Sequence, residues 1–155
     1  MRILFICTHN RCRSILSEAI TNHSHGDLIE ARSAGSQPSG VVHPLSLKYL
    51  AEIGVPISGL KSQSWDEFES FSPDLVITVC DSAANEVCPA WFGDSVRIHW
   101  GLKDPSKLEG DETQIKQAFM DCIDIIKIRA DALAKLAPRN LSGDALRQAV
   151  NDLIT

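Results

Sequence analysis

The sequence has no long hydrophobic run. In its 155 residues, no apolar stretch approaches the ~20 residues that a transmembrane helix needs. Met1 and Arg2 lead into an apolar run that is too short for the core of a signal peptide. We therefore expect a cytoplasmic protein that has no membrane partner.

Basic runs are absent as well. No stretch contains five or more consecutive Lys or Arg residues, and the formal net charge at pH 7 is −5. Proteins that bind nucleic acid usually present a basic surface, so this composition argues against a nucleic-acid partner. We expect the positive charge to be local, at Arg11 and Arg13.

The chain also lacks repeats, low-complexity segments and interdomain linkers, and 44% of its residues are hydrophobic. This composition suits one domain with one core. The five cysteines do not have the paired spacing of a structural zinc site, so we expect no metal centre. In a reducing compartment they are better interpreted as catalytic, redox-active or buried thiols than as a disulfide framework.

The most informative stretch lies near the N-terminus. Residues 3–6 form a continuous apolar run, as expected for a buried parallel strand, and residues 13–23 have the periodicity of a helix. The turn between them begins with Cys7 and directs backbone N–H groups and a helix N-terminus at one point, which favours a bound oxyanion. The predicted oxyanion-binding residues are Thr8, His9, Asn10, Arg11, Cys12, Arg13 and Ser14.

The Cys-x5-Arg spacing of Cys7 and Arg13 adds a nucleophile and a cation. A cationic, donor-rich loop lowers the pKa of a thiol from about 8.5 toward roughly 3.5–7.5 and so favours the reactive thiolate. The planar guanidinium of Arg13 matches two oxygens of phosphate or arsenate. We expect Ser14 to hydrogen-bond the thiolate and Asn10 to be left-handed, because the loop has no Gly. The alternative is a structural Cys7 beside residues that only cap the helix.

Strand and helix patterns alternate along the rest of the chain. This alternation predicts an α/β fold, in which helices cover a parallel sheet as a three-layer sandwich. Residues 62–72 are predicted to be a loop with one turn of helix at most. Pro138 is predicted to end the fourth helix. The tail helix could pack on the domain or on a second subunit. The predicted strands cover residues 3–6, 28–34, 74–80 and 96–100, and the predicted helices cover 13–23, 44–53, 112–137 and 142–154.

Further candidate residues follow the later strands. Pro105 restricts Asp104 to an extended conformation, which suits a positioned proton donor, although an ordinary Asp-Pro turn is the alternative. Cys80 ends the third strand, and Cys88 follows after a short helical segment. A thiol relay between them requires this segment to unwind, because the chain otherwise holds the two Cα atoms beyond the ~7 Å limit of a disulfide. Core packing is the alternative for Cys88, and Cys122, on an apolar stripe, is expected to be inert.

The loop from Cys7 to Ser14, with Asp104 and Pro105 far downstream, resembles the low-molecular-weight protein tyrosine phosphatase superfamily. The resemblance implies four parallel strands in the order 2-1-3-4. It also implies a catalytic domain over residues 1–137, followed by a helical extension packed on it or on a partner (residues 138–155).

A phosphatase of this superfamily is one function that the resemblance implies. In the phosphatases, the residue that matches Asp104 protonates the leaving oxygen of a phosphomonoester. They usually follow it with aromatic residues that wall a phosphotyrosine pocket, whereas this chain has Pro105 and Ser106 there. Phosphatase activity is therefore the alternative function.

Within the superfamily, the sequence is most similar to the arsenate reductases. The resemblance implies that Cys7 attacks arsenate, Cys80 attacks the Cys7 sulfur with release of arsenite, and Cys88 then takes the disulfide. Electrons would come from thioredoxin or from glutathione with glutaredoxin, and a pairing of Cys7 with Cys12 is an open alternative. No tightly bound cofactor is expected, apart from a candidate potassium ion. Three residues match positions that hold this ion in some relatives, namely Asn10, Glu18 and Ser33.

Overall fold

The computed structural model describes residues 1–87, 89–93 and 95–154. They form a four-stranded parallel sheet in the order β2-β1-β3-β4, flanked by helices. This confirms the predicted α/β fold and strand order. The strands are β1 (Arg2–Ile6), β2 (Glu30–Ala34), β3 (Leu75–Thr78) and β4 (Val96–His99).

The four longer helices agree with the predicted ones to within about two residues at each end, and the short helical segment predicted after Cys80 is present as well. Four 3-10 helices connect the main elements at Trp65–Phe71, Ala90–Phe92, Pro105–Lys107 and Ala137–Arg139. The α-helices are α1 (Arg13–His25), α2 (Pro44–Glu52), α3 (Asp81–Ala84), α4 (Glu112–Leu136) and α5 (Gly143–Ile154).

The core lies around the two central strands. β1 and β3 have apolar residues on both faces, and almost all of their side chains are buried because helices cover the sheet. β4, at the edge, alternates buried and exposed residues. α4 adds one apolar stripe to this core, made of Phe119, Cys122, Ile123, Ile126, Ala130 and Leu133.

The parallel register brings three strand ends to one edge of the sheet. Ile6, at the end of β1, pairs with Thr78 of β3, which in turn pairs with His99 of β4. The chain segments that follow these residues therefore leave the sheet side by side. Cys7 and Cys80 lie on two of these segments, and the third leads to Asp104.

One local prediction differs from the structure. Residues 62–72 contain a seven-residue 3-10 helix, because Ser64 and Glu67 form a capping box that starts it. α4 ends at Leu136, two residues before Pro138, as predicted. One turn of 3-10 helix follows, and the chain then turns at left-handed Asn140.

The C-terminal helix α5 packs against β4 of the same chain. Leu146 and Val150 are buried in the common core, and Arg147 Nη1 donates to the carbonyl of Arg97 at 3.3 Å. The domain boundary at residue 137 stays a prediction. Among the described residues, no helix is both long enough and apolar enough to cross a membrane.

We predict that Gly35→Ala will destabilise the fold and displace the first loop. A Cβ at Gly35 would lie 2.4 Å from the Thr8 carbonyl oxygen and 2.6 Å from that of Cys7, so backbone has to move. We expect a loss of about 3 kcal/mol in the free energy of unfolding, measured by urea denaturation. Gly40→Ala is the control, because its Cβ meets no atom within 4 Å and only its positive φ costs about 1–2 kcal/mol. Equal losses in the two variants would contradict the prediction.

Candidate active site

The loop from Cys7 to Cys12 connects β1 to α1, and a buried asparagine fixes its shape. Asn10 has a φ of 46°, which confirms the predicted left-handed conformation. Its Nδ2 donates to Ser14 Oγ at 2.8 Å and to Ser33 Oγ at 3.0 Å, while its Oδ1 accepts from Gln63 N at 2.9 Å. All polar atoms of this side chain therefore have partners, which holds the loop in one conformation.

Carbonyl groups of the loop are hydrogen-bonded, whereas several amides in and just after the loop are not. The carbonyls of Thr8, His9 and Arg11 accept from backbone N–H groups of the stretch 37–43. In contrast, four loop amides have no hydrogen-bond acceptor within the described part of the chain, namely those of His9, Arg11, Cys12 and Arg13. Unpaired amides at the start of α1 suit a bound oxyanion, as the sequence predicts.

Arg13 and Asp104 form an ion pair beside this loop. Arg13 Nη2 lies 3.5 Å from Asp104 Oδ2, and both side chains are only 16% exposed. Arg13 Nη1 donates to the carbonyl of Leu102 at 3.0 Å, and its buried Nε has no partner among the described residues. Asp104 Oδ1 accepts from the N–H and hydroxyl groups of Ser106 at 2.9 and 2.6 Å, which fixes the carboxylate.

The thiols of Cys7 and Cys80 lie close enough together to shift each other's pKa. Both residues are buried, and they belong to different segments that leave adjacent strands. Thr8 N donates to Cys80 Sγ at 3.4 Å, so the second thiol also touches the anion-binding loop. The structure thus brings together four of the five predicted catalytic residues. The fifth, Cys88, lies outside the described residues.

The two thiols shift each other's pKa in opposite directions. The neighbouring Cys7 thiol lowers the pKa of Cys80 to about 5, and the N–H groups of Thr8 and Ala83 act in the same direction. The Cys80 sulfur, together with burial, raises the pKa of Cys7, and Arg13 opposes this only in part. Of the two thiols, Cys80 is therefore the one that ionises more readily.

The other two described cysteines are neutral thiols at pH 7. Burial raises the pKa of Cys12 to about 11 and that of Cys122 to about 12. All four described cysteines are free, so none forms a disulfide here. Cys12 therefore contributes its amide rather than its sulfur to the loop, and Cys122 fits its predicted inert role.

One predicted hydrogen bond is absent. Ser14 Oγ accepts from Asn10 and makes no hydrogen bond to Cys7 in the described structure. Cys80, rather than Ser14, is the partner of the Cys7 thiol. Ser14 therefore acts on the loop through Asn10. The sequence around Cys7 could not predict Cys80 as the neighbour of its thiol, because β3 brings Cys80 there.

The mouth of the loop carries three polar side chains. His9 and Arg11 are exposed, and His9 Nδ1 lies 3.1 Å from the Gln37 carbonyl. His43, which the sequence analysis missed, caps α2: its Nδ1 accepts from Leu45 N, so in the neutral ring Nε2 carries the proton. Burial lowers the pKa of His43, and the charge of Arg11 adds to this effect. The sequence feature that could have predicted the capping role of His43 is its position directly before Pro44, the first residue of α2.

A second missed residue is Glu86. Its Oε1 accepts from Thr8 Oγ1 at 2.6 Å, which joins the segment after Cys80 to the loop. The two residues are 78 positions apart, and nothing in the pattern around Glu86 predicts the contact. Only the strand register brings them together.

The three residues matched to a potassium site also come together. Ser33 Oγ donates to Glu18 Oε1 at 2.8 Å and accepts from Asn10 Nδ2. Burial raises the pKa of Glu18. Glu18 and Gln63 line a surface cavity of about 640 Å³. Hydrogen bonds alone account for this cluster, and within the described residues no group of three or more His, Cys, Asp or Glu side chains could hold a metal ion.

The fold and the site define a class of small α/β proteins, in which a cysteine and an arginine flank an anion-binding loop after the first strand. A sequence profile of the low molecular weight phosphotyrosine protein phosphatases matches residues 2–145. The chain belongs to this family.

Several relatives with this fold are arsenate reductases. One from Halalkalibacterium halodurans is 38% identical over 133 residues, which cover 86% of this chain and 94% of the relative. One from Bacillus subtilis is 37% identical over 117 residues, or 76% of this chain and 82% of the relative. The solved thioredoxin-dependent arsenate reductase of Corynebacterium glutamicum has a TM-score of 0.69 and 31% identity, covering 90% of this chain and 63% of that chain. A solved arsenate reductase in its phosphate-binding state has a TM-score of 0.69 and 26% identity, and the match covers 88% of this chain and 98% of that chain.

We predict a thiolate that forms near pH 5 in the reduced protein. Because the pKa of Cys80 lies near 5, it is ionised above that pH and protonated below it. Ultraviolet thiolate absorbance should rise by one thiolate per chain around this pH, and Cys80→Ser should abolish the step. Cys122→Ser should leave it unchanged, since the pKa of Cys122 is near 12. A step that survives unchanged in Cys80→Ser would place the charge on Cys7 instead.

Proposed function

We propose that this protein is an arsenate reductase that uses a cysteine thiol/disulfide cascade. The observation that carries the proposal is the proximity of Cys80 to Cys7 and to the anion-binding loop, where Thr8 N donates to Cys80 Sγ at 3.4 Å. Hydrolysis of a phosphate ester needs one nucleophile. Reduction needs a second thiol that can attack the first sulfur, and Cys80 lies within reach of Cys7. The arsenate reductases among its relatives support the same conclusion.

The first step is attack of Cys7 on arsenate held by the loop amides and Arg13. Transfer of the Cys7 proton to the neighbouring Cys80 sulfur makes Cys7 the thiolate. A sulfur–arsenic bond forms and an arsenic–oxygen bond breaks. The oxygen leaves as water, with a proton supplied through Asp104, whose Oδ2 is the carboxylate oxygen nearest Arg13.

The second step is attack of Cys80 on the Cys7 sulfur. Cys80 loses its proton again, which the N–H groups of Thr8 and Ala83 favour because both lower its pKa. A disulfide forms, the sulfur–arsenic bond breaks, and its electron pair stays on arsenic, which is reduced from As(V) to As(III) and released as arsenite. Cys88 then attacks Cys80 and frees Cys7 as a thiolate. An external dithiol reduces the Cys80–Cys88 disulfide and supplies the two electrons.

Phosphomonoester hydrolysis is the second candidate function, and the ion pair of Arg13 with Asp104 favours it. Cys7, Arg13 and Asp104 are the three groups that hydrolysis requires. Asp104 is followed by Pro105 and Ser106 rather than by aromatic residues, so an aryl leaving group has little to stack on. We therefore expect phosphatase activity to be weak beside arsenate reduction.

For the reductant, we propose thioredoxin rather than glutathione with glutaredoxin. Residues 81–95, which surround Cys88, include three acidic residues and neither Lys nor Arg. Glutathione carries a net negative charge, so this stretch offers it no cationic partner. Val87, next to Cys88, is 92% exposed and suits an apolar protein contact. The Corynebacterium relative is itself thioredoxin-dependent.

A cytoplasmic location and a potassium ion complete the proposal. A thiol relay that is reduced by an external dithiol after each turnover suits a reducing compartment. The carboxylate, amide and hydroxyl oxygens of Glu18, Asn10 and Ser33 suit potassium in type, and the ion would offset the charge of the buried carboxylate. Its contribution would be to hold the loop through Asn10 rather than to take part in the reaction.

We predict arsenite release over many turnovers when the purified protein receives thioredoxin, thioredoxin reductase and NADPH. Cys7→Ser should release no arsenite. Cys80→Ser and Cys88→Ser should lose steady-state turnover by about 100-fold or more, because each removes one thiol of the relay. Cys122→Ser is the matched control and should keep the wild-type rate.

The same assay separates the alternatives. Glutathione and glutaredoxin are supplied in a second arm, and an aryl phosphate in a third. Turnover with glutathione alone would overturn the choice of thioredoxin. Full turnover by Cys88→Ser would remove this residue from the cascade. Fast aryl phosphate hydrolysis without arsenite would make the protein a phosphatase.

We predict that potassium stabilises the protein more than sodium or choline at equal ionic strength. If the ion adds about 1 kcal/mol, the Tm should rise by about 2–4 °C. Glu18→Gln should abolish the difference between the salts. Glu69→Gln, at an exposed acidic residue outside the cluster, is the control and should keep it. Equal Tm values of the wild type in the three salts would refute potassium binding.

A further inference from the structure

Residues 81–87, which follow Cys80, have little apolar packing. Only Ala83 is buried among the residues of α3, and Val87 is almost fully exposed. An open pocket of about 300 Å³ lies between part of this segment and strands β3 and β4, with Ala83, Ala84 and Glu86 on the segment side. Burial of apolar surface therefore contributes little to holding this segment in place.

Two side-chain hydrogen bonds join residues 81–87 to the rest of the described structure. Glu86 Oε1 accepts from Thr8 Oγ1 at 2.6 Å, and His99 Nε2 lies 3.1 Å from Asp81 Oδ1. The other hydrogen bonds of the segment, such as Ala84 N to the Cys80 carbonyl, stay within residues 80–86. The position of the segment thus depends on two polar contacts.

The contact with Thr8 is the stronger of the two. A hydroxyl that donates to a carboxylate at 2.6 Å makes a short, charge-assisted hydrogen bond, and this one is partly buried. The Asp81 side chain is 95% exposed, so water competes for its contact with His99. Glu86 is therefore the main attachment of the segment.

Thr8 also holds Cys80, so Glu86 acts on the reactive sulfur through one shared residue. The backbone N–H of Thr8 donates to Cys80 Sγ at 3.4 Å. The hydroxyl of Thr8 has a single proton, which it donates to Glu86, while its oxygen lies 3.8 Å from Cys80 Sγ. A single loop residue thus connects the anion-binding loop, Cys80 and the segment that leads toward Cys88.

We propose that Glu86 is a positioning residue that keeps residues 81–87 on the anion-binding loop while Cys80 faces Cys7. After the Cys7–Cys80 disulfide forms, loss of the Glu86–Thr8 bond releases the segment, and this release limits the rate of the step from Cys80 to Cys88. The kinetic part of the proposal, that release of the segment limits the rate, rests on the proposed reductase function. The structural part, that Glu86 attaches the segment to the loop, does not depend on that function.

Hydrogen exchange of the reduced, full-length protein tests the attachment without arsenate. In Glu86→Gln a neutral hydrogen bond replaces a charge-assisted one, and we expect the amides of residues 81–87 to exchange about tenfold faster than in the wild type. Glu86→Ala should increase exchange further. Asp81→Asn is the matched control, because it removes the same charge from the same segment but leaves Thr8 in place, and we expect a smaller change. Unaltered protection of β1 verifies that each variant is folded.

Single-turnover reaction with arsenate, without a reductant, tests the kinetic part. In Glu86→Gln, we expect Cys80–Cys88 disulfide formation to be several-fold faster, with the same amount of arsenite released per chain. In the hydrogen-exchange experiment, the proposal would be overturned if the amides of residues 81–87 exchanged at the wild-type rate in Glu86→Gln. It would also be overturned if they exchanged equally fast in Asp81→Asn and in Glu86→Gln. Faster exchange without any arsenite would refute the reductase function and support the attachment. An unchanged rate of disulfide formation would overturn the kinetic part.

Discussion

The parallel register of β1, β3 and β4 is the constraint on which the site depends. It aligns Ile6, Thr78 and His99, so the segments that follow them meet at one edge of the sheet. Cys80 reaches Cys7 because its strand pairs with β1, and the third segment carries Asp104 to Arg13. A one-residue shift of β4, whose side chains alternate between buried and exposed, would turn its buried side chains outward, so the apolar core that fixes this register also fixes the site.

Contact between two thiols distinguishes this site from one that only hydrolyses esters. A lone nucleophilic thiol needs amides and a cation to stabilise its charge, and Cys7 has both nearby. A second thiol beside the first couples the ionisation of the two sulfurs. The pKa values of Cys7 and Cys80 are accordingly shifted in opposite directions, so the proposed reaction begins with a proton transfer from Cys7 to Cys80.

The sequence predicted the local features of the site better than its distant contacts. The left-handed Asn10 follows from a tight loop that has no Gly, and the strand and helix bounds follow from apolar periodicity. The partner of the Cys7 thiol, the contact of Thr8 with Glu86 and the packing of α5 on β4 join residues far apart in sequence. These depend on register and side-chain geometry, which local patterns do not encode. The sequence named Cys80 through its place at a strand end and through the family resemblance, which implied its attack on Cys7.

The two sides of the site differ in how firmly they are held, and the proposed chemistry needs this difference. On the loop side, buried Asn10 uses every polar atom of its side chain, and Gly35 packs against the loop with no room for a Cβ. On the other side, residues 81–87 lie beside an open pocket and are attached by Glu86 and Asp81. Attack on an oxyanion requires a fixed nucleophile, whereas transfer of a disulfide away from it requires a sulfur that can leave. A site that was rigid on both sides could complete the first step but would hold its own product disulfide beside the loop.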